Sequence, residues 1–575
     1  MKKIRLLVVV AVGACMACKT QKTSQVHEDY HLKANPYNYS ITKNLSPSKA
    51  AVVSAHPLAS EVGLQVMQMG GNAVDAAIAT QYALAVVYPG AGNLGGGGFM
   101  VARLANGKTI SIDYREKAPS GASKDMYLDS SGNAMTDKSQ NGHLAAGVPG
   151  TVAGLFASAK YGRLPMSALI QPAIDLAEKG FVLTASEAES LNNTKEEFLK
   201  FNTVLPVFVN SRPWKKGDTL VQKELAATLS RIRDGGRKEF YEGKTAKLVE
   251  AEMKRGNGLI TRKDMKQYRA KERDAVVFDY KGYTIITMPL PSSGGILLPQ
   301  MLKMVEDKPL GKYGFHSWQA IQLMTEVERR AYADRATYLG DPDFYKIPVK
   351  TLTSKEYLAE RMKDYDPLKA GNSKNTGAGT IAESKETTHL SVIDSAGNAV
   401  AVTTTLNGGY GSRTVVAGAG FLLNNEMDDF SIKPGVANMY GALGAEANSI
   451  RPGKRMLSSM SPTIVLRGGK PFMVVGTPGG TTIPTSVFQS IVNVIDFGMN
   501  AEDAVNKPKF HHQWQPDTIL IEKGFPADVL EKLKSIGYKI SAPEQIGRTE
   551  LILIKENGKI EAAADGRGND SVAGE

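Results

Sequence analysis

The chain of 575 residues contains two cysteines, Cys15 and Cys18, and none after residue 18. A body without cysteine has no disulfide and no thiolate zinc site, and any nucleophile it uses is of another kind. Dense Lys/Arg blocks are missing beyond the N-terminus although the net charge is +11. That excess reads as a basic surface with no nucleic-acid motif attached. The N-terminal apolar stretch, Leu6 to Val12, is too short to span a bilayer, which takes about 20 residues. The glycine run Gly92 to Gly98 (GNLGGGG) lacks the lysine of a P-loop. Gly107-Lys108-Thr109 and Gly243-Lys244-Thr245 lack the glycine five residues upstream, so nucleotide binding is set aside. His511-His512 has no spaced third ligand, and neighbouring side chains on a strand point apart. No metal or cofactor is expected. His389 is likewise read as a packing or hydrogen-bonding residue. No internal repeat is evident.

Residues 1–18 have the pattern of an export signal: Lys2, Lys3 and Arg5, a short apolar core, then small residues. Val12-Gly13-Ala14-Cys15 and Cys15-Met16-Ala17-Cys18 each loosely match a bacterial lipoprotein processing box. A periplasmic protein is expected, with Cys15 or Cys18 as a candidate lipid anchor and no other membrane contact. Residues 19–46 are polar and weakly patterned, as in a tether or a surface-hugging arm. The body, 42% hydrophobic and 22% charged over the whole chain, is ordinary for a soluble globular protein.

From Ala50 the pattern alternates strands and helices. AVVSAHPLAS reads as a strand into a turn, and Ser60-Glu61 open a helix closed by Gly70-Gly71. Asn72 starts a second helix through Val87, apolar nearly all round and therefore buried between layers. The glycines before Phe99-Met100-Val101 let two backbones approach closely. ISIDYREKAP reads as a strand carrying Arg115. Residues 145–340 read as mainly helical, broken by one strand near VVFDYKGYTIITMP. Residues 365–386 read as a mobile surface loop. The last third reads as strands with glycine turns, one helix near Val487–Phe497 and two closing β-runs.

The stretch Thr387 to Asn407 reads as a hairpin turning at Asp394-Ser395-Ala396-Gly397-Asn398. If residues 394–398 form the loop, Ile393 faces Ala399 and Thr387 lies opposite Thr405, with Cβ atoms about 5 Å apart. A one-residue slip would put the two threonines on opposite faces. By itself such a Thr–Thr pair is ordinary sheet filler.

Further motifs change its meaning. Glu386-Thr387-Thr388-His389, GNAVAVTTTLN, LLNNEMDDFS, RMLSSMSPTIV, TPGG and FHHQW follow in order. Upstream stand DYREKAP, GVPGTVAG, PSSGG and AYADRATYLGDPDF. Together they closely resemble the γ-glutamyltranspeptidases over residues 45–575. The resemblance implies an α+β, N-terminal-nucleophile hydrolase fold, a four-layer αββα sandwich, as a precursor that cuts itself before its nucleophilic threonine. Cleavage between Glu386 and Thr387 would leave a large subunit, residues 47–386, and a small one, residues 387–575, interlocked as one composite domain.

The same resemblance implies the roles. Thr387 is the nucleophile, its freed α-amine the base, and Thr405 orients it. Gly479 and Gly480 form the oxyanion hole. A γ-glutamyl donor is a zwitterion at its blind end. Arg115 with Ser458 and Ser459 suits its carboxylate, Glu426 and Asp429 suit its ammonium, and Asn407 serves either. Glu426 stands where some family members have glutamine. Ser431 to Arg455 resembles a lid with Tyr440 as gate. The implied activity is γ-glutamyl transfer and hydrolysis, with glutathione as donor and water or an amino-acid or peptide amine as acceptor. Two alternatives stay open: an acylase of the same fold acting on another acyl group, such as a cephalosporin acylase, and a non-catalytic envelope lipoprotein.

Overall fold

The computed structural model describes residues 30–376, 387–433, 435–439, 443–543 and 545–575. The export signal, the cysteines, Glu386 and Tyr440 lie outside these residues.

Two seven-stranded sheets stack face to face. In the first, the order is Ser571–Gly574, Ala51–Ser54, Thr388–Ile393, Ala399–Thr405, Gly97–Arg103, Thr109–Asp113 and Lys271–Glu272. In the second it is Asn44–Leu45, Ile560–Ala564, Glu550–Ile554, Lys470–Gly476, Thr463–Arg467, Tyr283–Thr287 and Val276–Tyr280. Alternation along the strands creates the layers. Val52, Met100, Leu390, Val392, Val400 and Val402 face the helices Pro57–Gln68 and Ala73–Val87, while Ala51, Val53, Phe99, Val101, Ala399 and Ala401 face the second sheet. Helices Gly294–Val305, Trp318–Tyr338 and Thr482–Ile495 cover the far side of the second sheet. The result is an αββα sandwich.

The helix Ala73–Val87 is buried along its whole length and starts from a capping box, in which the Asn72 side chain accepts from the Val74 and Asp75 N–H groups and the Asp75 carboxylate accepts from Asn72 N–H. The hairpin of Thr388–Ile393 and Ala399–Thr405 pairs Ile393 with Ala399 and Thr388 with Thr404, the expected register, and occupies the middle of the first sheet. It takes both neighbours, Ala51–Ser54 and Gly97–Arg103, from the part of the chain before residue 387. In the second sheet, Thr463–Arg467 pairs with Tyr283–Thr287 in the same way. A cut at residue 386 therefore severs neither sheet, and both pieces stay bonded through complete ladders.

The glycine run behaves as the sequence suggests. A Cβ on Gly96 would sit 2.1 Å from the Thr405 carbonyl oxygen, and one on Gly98 2.5 Å from that of Thr403. Gly96→Ala is expected to cost about 1–3 kcal/mol by overpacking and to push Thr405 out of place. A lowered melting temperature together with slowed self-cleavage on a denaturing gel would show both effects; normal melting and cutting would refute the close-approach argument.

Several local expectations are corrected. The helix of Glu61 begins earlier, at Pro57, because His56 caps it through Nδ1 and proline suits the first turn. The strand near residue 280 is a hairpin, Val276–Tyr280 and Tyr283–Thr287, turned by Lys281 and Gly282 at positive φ. The last third carries three α-helices among the described residues, Thr482–Ile495, Ala501–Asn506 and Ala527–Ser535, and closes with three strands. Residues 30–46 follow the body's surface: Leu32 N–H donates to Asp175 and Tyr39 Oη to the Val182 carbonyl, and Asn44–Leu45 adds an edge strand. Of the expected loop 365–386, the part up to residue 376 is anchored by Ser373, which is buried and donates to the Trp514 carbonyl; residues 377–386 lie outside the described set.

Candidate active site

Thr387 stands one residue ahead of the strand Thr388–Ile393, where the central hairpin runs out of its sheet. Its Oγ1 lies 3.5 Å from Thr405 Oγ1, and both side chains are buried. Thr405 is held from three directions. Its Oγ1 accepts from Asn407 N–H at 2.8 Å, its carbonyl accepts from Asn93 Nδ2 at 2.9 Å, and its backbone pairs with Gly97. Asn93, in turn, is fixed by the Thr151 hydroxyl and Gly96 N–H, both donating to its Oδ1. Asn407 adopts φ 79°, which turns the chain sharply out of the strand, and its Nδ2 donates to the Asn425 carbonyl.

The turn before helix Thr482–Ile495 brings Gly479 and Gly480 to the same place, at φ 135° and 55°. Only glycine adopts the first of these without strain. Their carbonyls accept from Thr482 and Ile483, which directs the backbone into the helix. Neither glycine's N–H donates a hydrogen bond among the described residues. Two free donors at a helix N-terminus suit a developing negative charge.

Arg115 follows the strand Thr109–Asp113 and is fully buried. Its guanidinium is already engaged: Nη2 donates to Asp429 Oδ2 at 2.5 Å and to the Leu457 carbonyl at 3.2 Å, Nη1 pairs with Glu426, and Glu116 lies 3.5 Å away. Burial works against the charge of Arg115, but these three carboxylates outweigh it and hold its pKa above the ordinary value. Burial likewise pushes the acids up, Glu116 to about 8 and Glu426 well above the usual carboxylate range, with Arg115 opposing the rise. Asp429 shifts the same way for the same reason.

Thr387, Thr405, Asn407, Arg115, Asp429, Ser458, Ser459 and Gly480 all line one cavity of about 20 Å3, room for a single water-sized body. Gly479 adjoins it. Glu426 does not line it but sits behind Arg115, so the expected pair of equivalent ammonium acceptors reduces to Asp429 on the wall and Glu426 in support. Tyr440 and Glu386 lie outside the described residues. His511 bonds to Thr485 and Gln513, and His512 faces Asp517. His389 is buried against Thr403, and desolvation brings its pKa down to about 3. No cluster of metal-ligating side chains occurs among the described residues.

Sequence reasoning missed Asn93, Asn438 and Arg335. Asn93 hides in a glycine run that draws attention to its glycines. Asn438, which lines the cavity and donates to Asp429, sits in a loop without periodicity. Arg335 lies in the motif AYADRATYLGDPDF, where an arginine within an otherwise buried helix was the available signal.

Comparison with known proteins identifies the chain's relatives. The Gamma-glutamyltranspeptidase family model matches residues 59–575. The glutathione hydrolase proenzyme of Escherichia coli (strain K12) is 47% identical over 554 residues, covering 94% of each chain. The crystal structure of Helicobacter pylori gamma-glutamyltranspeptidase superposes with TM-score 0.54 at 45% identity, over 58% of this chain and 94% of that one. The cephalosporin acylase of Bacillus halodurans superposes with TM-score 0.81 at 25% identity, over 94% and 98%. A match over nearly the whole body, joined to a buried threonine pair beside two free backbone donors, settles the lineage: the chain belongs to the γ-glutamyltranspeptidase family.

Proposed function

We propose that this protein is a self-processing γ-glutamyltransferase and glutathione hydrolase. The observation that carries the proposal is the meeting of Thr387, Thr405, Gly480 and Arg115 at one buried cavity, in a chain of this family. The peptide between Glu386 and Thr387 is hydrolysed, consuming one water and freeing a carboxylate and the Thr387 α-amine. The room at Thr387 is that of a water rather than a glutamyl group, which suits an uncut chain whose first reaction is its own cleavage.

In the mature enzyme the α-amine, with a reference pKa of about 7.7–8.0, takes the Thr387 hydroxyl proton as Oγ1 attacks the γ-carbonyl. Thr405 Oγ1, which accepts from Asn407 N–H and lies 3.5 Å from Thr387 Oγ1, orients the nucleophile. The oxyanion is met by the Gly479 and Gly480 N–H groups, each worth about 2.7–4 kcal/mol in such sites. The leaving amine receives the proton, and water or an amino-acid or peptide amine resolves the acyl-enzyme. At the blind end the donor's carboxylate meets Arg115, Ser458 and Ser459, and its ammonium meets Asp429, with Glu426 behind and Asn407 beside. The Tyr440 segment acts as the lid. The protein is exported to the periplasm, held there as a soluble enzyme or by lipid on Cys15 or Cys18.

The test compares the purified protein on γ-glutamyl and glutaryl p-nitroanilides and on a denaturing gel. Two fragments and preferential turnover of the γ-glutamyl anilide are expected. Preference for the glutaryl compound would favour a cephalosporin-type acylase, and an uncut, inert chain would favour the non-catalytic alternative.

A further inference from the structure

A second arginine lines the cavity. Arg335 is buried in the last turn of helix Trp318–Tyr338, where the carbonyl end of the helix favours a cation. Its Nη2 donates to Ser459 Oγ at 3.0 Å and its Nε to Ser293 Oγ at 3.4 Å. Unlike Arg115, it forms no ion pair with a carboxylate among the described residues. Asp429 acts on it through space but is committed to Arg115 and, through Oδ1, to Asn438 at 2.7 Å.

The charge balance around the cavity is therefore uneven. Arg115 is in contact with three acidic side chains, Glu426, Asp429 and Glu116. Among the described residues Arg335 is contacted directly by hydroxyl groups alone, with Asp429 acting on it only through space. A guanidinium has no acceptor, so Ser459 Oγ must accept from it. Among the described residues the Ser459 hydroxyl donates to nothing, and its hydrogen is left to point to the cavity it lines. A buried cation and a hydroxyl polarised by it make a site for an anion, and leaving a guanidinium without a counter-charge is costly unless a ligand supplies one.

We propose that Arg335 is a positioning and specificity-determining residue for the acyl donor: it orients Ser459 and supplies a positive charge, bonded directly to no carboxylate among the described residues, that a donor α-carboxylate satisfies. This rests on the γ-glutamyl reading of the site. It assigns the two arginines different tasks. Arg115 holds the acidic wall that receives the ammonium and gives direction to the carboxylate, while Arg335 makes the absence of a carboxylate on the donor expensive.

The experiment measures kcat and KM of the mature enzyme for γ-glutamyl p-nitroanilide and for its analogue carrying an α-carboxamide in place of the α-carboxylate. In Arg335→Gln the preference for the acid is expected to fall roughly 10- to 100-fold, as the loss of a charge-assisted contact implies, through KM of the acid donor and with kcat changed only a few-fold. Arg335→Lys should recover part of the preference, because the charge returns without the fork. A merely structural role would weaken both donors alike, so an unchanged acid-to-amide ratio in cut, folded Arg335→Gln overturns the proposal. Should Arg335→Gln fail to fold, the double-mutant cycle of Arg335→Lys with Ser459→Ala decides: additive effects on the ratio overturn the proposal, coupled effects support it. Wild-type protein inactive on the γ-glutamyl anilide would sink the reading of the whole site, whereas an active wild type with an indifferent Arg335 sinks only this inference.

Discussion

Replacing Thr387 by alanine is expected to leave a single uncut chain close to the full 61.8 kDa, less any removed signal, and to abolish turnover. Loss of a nucleophile that acts as a unit with its base costs on the order of 10^6-fold in kcat. Here both functions sit on one residue, so the variant loses them together. The geometry makes the outcome specific: Thr388, next in the chain, points to the other face of the sheet and cannot substitute. The hairpin and its ladders need no Thr387 side chain, so the variant should melt near the temperature of the uncut wild-type chain. Two fragments of natural size from Thr387→Ala would refute the assignment, as would turnover of γ-glutamyl anilide by that variant at the wild-type rate.

The second large effect is at Arg115. Removing it leaves Glu426, Glu116 and Asp429 facing one another in a buried site, and breaking a buried ion pair by deleting one partner typically costs about 3–5 kcal/mol. Arg115→Ala should therefore lower stability by that order and raise KM for γ-glutamyl donors at least about tenfold. The pH dependence has a definite sign. Burial already raises the pKa of these acids and Arg115 opposes the rise, so its loss raises them further. When a folded-state carboxyl pKa exceeds the unfolded value near ~4, the unfolded chain releases its proton first as pH rises, and stability falls from there up to the folded pKa. The deficit of Arg115→Ala against wild type should accordingly be larger at pH 8 than at pH 5 in urea titrations. A deficit independent of pH, or larger at pH 5, would show that the three acids do not depend on Arg115 for their charge.

These two residues illustrate what was legible in advance and why. The pairing of Thr387 with Thr405 followed from local rules alone, since a five-residue turn and period-two alternation fix a hairpin's register. The close approach of the glycine run to another backbone was readable too, because GNLGGGG has no other evident use; which backbone it approaches, that of Thr403 to Thr405, was not. Arg115 was identifiable through the ordered motifs, yet its engagement by three carboxylates was not, because they come from residues 116, 426 and 429 and meet only when the chain folds back on itself. Glu426 shows the cost of this: its sequence neighbourhood gives it the same role as Asp429, and the fold sets one behind the guanidinium and the other on the cavity wall.

The chain's own order of residues determined the threonine at a sheet's end, the glycine pair before a helix, the buried alanine-rich helix and the lineage that joins them, because each depends on contacts or periodicities within a few residues. The tertiary structure alone decided which charges are spent and which remain. It brought Asn93 under Thr405, closed the acids around Arg115, and set Arg335 against Ser459 across 124 positions of sequence. Charge balance in a buried site is a sum over every group within a few ångströms, and no local pattern records that sum.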